Sequence, residues 1–417
     1  MANRNTIPLL LASNSVSSFS QGISLIAIPW YLIHYLDAYE LFGWSYGIVT
    51  FSVLFWQPIA GTIIDRYPRR NILIATSFIE GSLLLLGVWL SQYLDNGLLV
   101  LAIFAFSLMI FGFNIHYPNV YAFAQEITDS QNYQRTNSLL EIQGQSTTML
   151  AGFVSIILLE GTTSGVISFL GFDIPFPFQI QAWTLPEIIM LDASTYFLSV
   201  MILLFIKHQS KIQNQVITPF KQRLKEGFSY LNQNRNVLSF GTFSYSIFTV
   251  VIVYSFMLNA SYVENYLELG PETMASCEFI YGLGALSAGL LTSRLSRLGG
   301  TFKTIVGFFV VTTIILLLLA LTKSAKITFL VSLLLGISNA GTRILRISHL
   351  FTLVPNEKIG RTNSIFGMIC LLERAMFILL FSIPFFATSA GTPSVYFILA
   401  AFVGLSGVFL VRANKNI

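Results

Sequence analysis

The sequence predicts an all-α integral membrane protein with twelve transmembrane helices in two similar halves. Three observations carry this. Hydrophobic residues make up 54% of the 417 and charged residues 10%, and the mean hydropathy of +0.71 lies far above that of a soluble domain of average composition. Apolar runs long enough to cross about 30 Å of hydrocarbon occur twelve times. Short motifs of the first half also return in the second at nearly one spacing.

The runs fall at residues 7–36, 43–64, 71–92, 98–124, 136–160 and 187–206, and then at 236–262, 273–293, 302–322, 326–353, 361–386 and 393–411. The first follows Met1-Ala-Asn-Arg-Asn5 directly, without a small-x-small cleavage site, and reads as a retained helix. Basic residues orient the set. With Arg4 cytoplasmic, 18 of the 23 Lys and Arg fall on that side, Lys323 and Lys326 fall outside, and Arg343, Arg346 and Arg374 fall within helices. Both termini are therefore expected in the cytoplasm, in a multi-pass protein of the cell (inner) membrane. Cys277 and Cys370 are the only cysteines, and they build neither a disulfide framework nor a metal spacing.

Four charges crowd one short turn, Gly61-Thr-Ile-Ile-Asp65-Arg66-Tyr-Pro-Arg69-Arg70. Its flanks are almost uncharged, so the turn must lie in water while they lie in lipid. Gly61 to Arg66 returns as Gly289-Leu-Leu-Thr-Ser293-Arg294 at an offset of 228, and Arg135-Thr-Asn-Ser138 returns as Arg361-Thr-Asn-Ser364 at an offset of 226. Two matches at nearly one offset argue for duplication.

The pattern Gly-x-x-x-Asp-Arg-x-x-Arg-Arg resembles the loop between helices two and three of the major facilitator superfamily, with Pro68 where that family usually has Gly. The resemblance covers the whole chain and implies the major facilitator fold, two pseudo-symmetric six-helix bundles with a substrate site at their interface. The expected division is an N-terminal bundle at 1–207, a cytoplasmic linker with an amphipathic helix at 208–235, and a C-terminal bundle at 236–417. Leu191-Asp192-Ala193-Ser194-Thr195-Tyr196-Phe197-Leu198 and Ile28-Pro29-Trp30 are similar to stretches of the macrolide-efflux and enterobactin-exporter branch, which implies export. Antiporter members usually carry Gly-Pro in helix five, where this chain reads Met149-Leu-Ala-Gly152, so the direction of transport stays open.

The resemblance also implies a conformational latch of Gly61, Asp65, Arg66, Arg69, Arg70 and Arg361. A carboxylate at the end of helix two can approach the unpaired amides that begin another helix, and the family places this acid near the start of helix eleven, here Arg361-Thr-Asn-Ser364. A charge–dipole contact and an ion pair there are worth about 0.3 to 1 kcal/mol each. Ser293 replaces the acid in the second copy. The other reading of Arg69 and Arg70 is that they only enforce topology.

Two connections are long. In 207–235, six basic residues accompany Phe220, Leu224, Phe228 and Leu231 at helical spacing, which predicts an amphipathic helix acting as linker and membrane-surface anchor. The outer segment 161–186 lacks Lys and Arg and is rich in Phe, Ile, Pro and Gly. It is expected along the outer interface, with a lid or partner contact as the alternative.

Ionisable groups inside the membrane cost roughly 2.5 to 3.5 kcal/mol on the insertion scale and must find a partner or a watered cavity. Arg343, Arg346 and His349 recur every three residues on helix ten. They offer bidentate recognition of an anionic oxygen pair, an inner gate with Glu126 or Glu141, or simple snorkelling. Asn114, His116 and Tyr117 lie on helix four, and His116 falls on Arg343 at an offset of 227. Asn14, Ser17, Ser18 and Gln21 form a polar strip on helix one, either cavity lining or helix packing. A proton carrier must be a carboxylate whose hydration changes between states. Glu141 ranks first, then Glu373, with Asp192, Glu80 and Glu278 also possible; Glu141 is placed to pair with His116 or Arg343.

No Gly-x-x-x-x-Gly-Lys phosphate loop occurs, so pumping must draw on an ion gradient. The reading is a secondary transporter, not an enzyme, with no cofactor, metal or nucleic-acid partner, monomeric in the lipid bilayer. It exchanges protons for an amphipathic siderophore, drug or metabolite by alternating access. A lipid or lysolipid flippase is the alternative, and a transport-inactive sensor or scaffold is the reading from another class.

Overall fold

The computed structural model describes residues 6–129, 132–162, 165–208 and 220–414. Arg4, Lys211 and Lys415 of the charge count lie outside the described residues, as do the side chains of Phe220, Lys221 and Arg223. Twelve described helices are long and apolar enough to cross a membrane. In the first half they are α1 (Thr6–Tyr35), α2 (Tyr39–Arg66), α3 (Arg69–Ser91), α4 (Gly97–Glu126), α5 (Tyr133–Glu160) and α6 (Leu185–Leu204). A further helix, α7 (Phe220–Gln233), precedes α8 (Arg235–Leu267), α9 (Pro271–Gly299), α10 (Thr301–Leu321), α11 (Ala325–Leu353), α12 (Asn356–Phe381) and α13 (Thr392–Asn414).

Local chemistry sets the ends. Thr184 and Glu187 form a capping box at the start of α6, with Pro186 in the first turn. Gly300 separates α9 from α10 at φ 84°, a conformation that suits a residue without Cβ. Asp65 and Arg66 belong to the last turn of α2, and Arg69 and Arg70 to the first turn of α3. The predicted charged turn therefore shrinks to Tyr67 and Pro68, because proline needs no amide partner and can stand immediately before a first helical turn. Likewise α12 starts at Asn356 and ends at Phe381, five residues earlier than the apolar run, since its polar first turn is helical and Pro384 follows.

The segment between α5 and α6 contains a β-hairpin that the apolar count does not foresee. Strands β1 (Val166–Phe169) and β2 (Phe172–Pro175) pair antiparallel, with Phe169 opposite Phe172. Leu170 and Gly171 close it with positive φ of 56° and 78°, as a two-residue hairpin turn requires. Phe153 of α5 meets Phe169 edge to face, which ties the hairpin to its helix.

The chain divides into two compact units, Met1–Val216 and Ile217–Ile417. In the first, α1 packs on α5 and α6, α2 on α4, and α3 on α4 and α6. In the second, α8 packs on α12 and α13, α9 on α11, and α10 on α11 and α13. The pairing repeats helix for helix, as the sequence duplication would dictate. Helix α7 belongs to the second unit and packs on α12. Leu231 is fully buried, Gly227 packs against Ile365 and Arg361 of α12, and Glu226 pairs with Arg361 at 2.5 Å.

Candidate functional site

Polar side chains collect in the interior of each unit. In the first, the strip on α1 turns inward and joins helices. Asn14 donates from Nδ2 to Gln143 Oε1 of α5 at 2.5 Å, so its Oδ1 is the acceptor for His116 Nε2 of α4 at 2.9 Å. With the amide in this orientation, His116 donates from Nε2. Ser13 meets Ser199 of α6 at 2.7 Å, and Gln21 Nε2 donates to the Tyr196 hydroxyl at 2.9 Å. The strip thus joins α1 to α4, α5 and α6.

A second group lies beside Gln21. The Tyr196 hydroxyl bonds to Glu80 of α3, and Asp192 of α6, only 1% exposed, lies within electrostatic reach of Glu80 and beside Ser24 of α1. A methyl group on Gly112 would sit 2.5 Å from Glu80 Oε1, so the carboxyl fills the space that any side chain on α4 would occupy here. Glu80 and Asp192 are thus two buried carboxyls in one polar core, and the rank order among carriers did not bring them together. Their signals were the glycine on α4 and the tyrosine four residues after Asp192.

Glu141 does not bond His116. Its Oε1 accepts from Tyr121 at 2.7 Å, while the His116 ring is turned to Asn14. Asn114 accepts from Gln57 of α2 at 3.0 Å. Arg69 and Arg70 of the signature are likewise held within their own unit. Arg69 donates to the Ala122 carbonyl at 2.7 Å and faces Glu126 at 3.4 Å, and Glu126 also meets His208 at 2.9 Å. Arg70 reaches the carbonyls of Leu203 and Leu204 at the C-terminus of α6, where a cation suits the helix dipole. Asp65 is exposed.

In the second unit, Arg346 is 4% exposed, stacks 3.5 Å from the centre of the Tyr245 ring and donates to the Ser244 carbonyl at 3.1 Å. His349 meets Phe240 at 4.6 Å between ring centres. Both therefore turn toward the start of α8, while Arg343 is half-buried. Glu373 accepts from Thr249 at 3.1 Å. Glu278 of α9 faces Ser255 and Asn259 of α8, neither of which stood out in a largely apolar run.

Sequence comparison matches residues 10–372 to the Major Facilitator Superfamily. The chain belongs to that superfamily. It is a transporter rather than an enzyme, and a multi-pass membrane protein. No curated protein matches it by sequence. Among solved structures, a bacterial homologue of the iron transporter ferroportin in its inward-facing state is similar, with a TM-score of 0.72 at 13% identity and 99% coverage of each chain. The nucleoside transporter NupG aligns with a TM-score of 0.67 at 14% identity, again with 99% of each chain covered. A D-xylose-proton symporter aligns with a TM-score of 0.68 at 12% identity, covering 98% of this chain and 97% of its own. Identities this low establish the fold alone.

Proposed function

We propose that this superfamily member is a proton-coupled exporter of an amphipathic small molecule, a siderophore, drug or metabolite, working by alternating access. The observation that carries proton coupling is the buried pair Glu80 and Asp192 with Tyr196 and Gln21. Two like charges cannot both be held in a low-dielectric core without strong repulsion, and one proton bound between them relieves it. Releasing that proton requires water to reach the pair, which alternating access supplies. A proton-coupled symporter among the structural neighbours is in keeping with this energy source. Export rests on the branch resemblance around Leu191–Leu198. The same reading carries a conformational latch of Gly61, Asp65, Arg66, Arg69, Arg70 and Arg361.

The test is transport in proteoliposomes with an imposed inside-acid gradient, recording lumenal pH as siderophores, macrolides, organic cations and lysolipids are added. Substrate-triggered proton flux that Asp192→Asn and Glu80→Gln each abolish, while substrate counterflow persists, is the expected result. Full flux in both variants would sink the assignment. The second reading, a lysolipid flippase, draws on the outer hairpin, whose Phe172 is 72% exposed with Phe178 at 66% beyond it. Lysolipid crossing without proton movement would favour it.

A further inference from the structure

The second unit holds a polar group that neither the superfamily signature nor the proton-coupling reading uses. Helix α8 is not a regular α-helix: Tyr254–Leu258 and Tyr262–Leu267 are wound as π-helix, the wide turn that recurs at functional sites. Asn259 stands between the two wide turns. Its side chain is 0% exposed; its amide nitrogen lies within hydrogen-bonding reach of Glu278, while its amide oxygen lacks a hydrogen-bond partner among the described residues. A buried amide oxygen left unpaired costs on the order of 1 to 3 kcal/mol, so such a group calls for a ligand. It faces Glu278, as does Ser255 one turn earlier on the same side of α8. Glu278 is itself 9% exposed and has no ion pair among the described residues, while Ser255 is half-buried and leaves one side open. Glu278 lies seven residues into α9, about 10 Å below the helix start.

We propose that Glu278, Asn259 and Ser255 form a binding site for a monovalent metal cation, sodium. The chemistry selects the ion. A carboxylate, an amide oxygen and a hydroxyl are hard oxygen donors. One carboxylate balances one positive charge, so a divalent ion would remain under-neutralised in this interior. No group of three or more His, Cys, Asp or Glu that could hold a metal occurs among the described residues, which argues against a transition metal. Sodium would give the Asn259 oxygen the partner it lacks, while the amide nitrogen keeps its hydrogen bond to Glu278. The site goes beyond proton coupling and needs no statement about the transported molecule.

Equilibrium binding of ²²Na⁺ to the purified full-length protein in detergent, with choline replacing sodium, tests it. Saturable binding that excess unlabelled sodium displaces and choline does not is expected. Asn259→Ala should weaken it roughly tenfold or more, since even outer-shell partners of a metal change affinity 10- to 100-fold, and Glu278→Gln should remove it. In parallel, sodium should raise the melting temperature of the wild type and leave that of Glu278→Gln unchanged. If Glu278→Gln does not fold, Asn259→Ala and Ser255→Ala carry the comparison. No saturable binding by the wild type, or unaltered affinity in the Asn259 variant, overturns the proposal. Because the assay needs neither substrate nor gradient, its failure leaves the proton-coupling reading standing, and failure of proton flux leaves this site standing.

Discussion

Arg346 shows how far a single side chain can depart from what its position suggests. On helical spacing it shares a face with Arg343 and His349, as if to present two guanidiniums to an anion. Its guanidinium instead lies flat on Tyr245 and is buried inside its own unit. A desolvated cation–π contact is worth about 2 kcal/mol or more, and the Ser244 carbonyl adds a charge-assisted hydrogen bond. Arg346→Ala is therefore expected to lower the melting temperature of the purified protein clearly, and Arg346→Lys to fall between, because ammonium keeps the charge but not the flat stack. Unchanged melting together with selective loss of anionic substrates would return Arg346 to substrate recognition. Gly61 presents the reverse case: a methyl group there would meet nothing within 4 Å among the described residues, so packing within the first unit does not explain why the signature has glycine.

Helices α9 and α11 approach backbone to backbone. A Cβ on Gly284 would lie 2.2 Å from the Leu333 carbonyl oxygen, and one on Gly336 would lie 2.2 Å from that of Tyr281. Small residues let membrane helices gain close packing, which replaces the hydrophobic drive that lipid cannot supply. Gly336→Ala should cost about 1 to 3 kcal/mol by overpacking, seen as loss of monodisperse protein on size exclusion. Gly289→Ala, where a Cβ meets nothing within 4 Å, should behave as wild type. At this scale the helices were legible, because a run of apolar residues bounded by charge has one physical solution in lipid. The hairpin was not, since Leu170 occupies a positive-φ position that rarely accepts leucine and so gives no turn signal. The wide turns of α8 were equally hidden, because an extra residue per turn leaves no mark on an apolar run. For the polar core, spacing showed which residues share a face of α1, but not whether that face meets water or another helix. Asn14, His116 and Gln21 were found, but Gln143, which Asn14 also bonds, was not, nor was the Tyr196 hydroxyl as the partner of Gln21.

At the scale of the molecule, the distribution of basic residues predicts cytoplasmic termini, and this orientation can be read chemically. Both native cysteines are buried, at 1% and 4% exposure, so single introduced thiols give a clean signal. In intact cells Phe172→Cys should react with a membrane-impermeant maleimide, and Arg66→Cys only after permeabilisation. The opposite pattern would invert the topology. The two units pair their helices alike, yet their buried carboxylates do not correspond: at the 228-residue offset Glu80 falls on Phe308, and Glu278 falls on Thr50. An ancestor with identical halves would have carried each polar group twice or not at all. After duplication the copies kept one scaffold and came to differ in the polar groups it holds, so neither half can now stand in for the other.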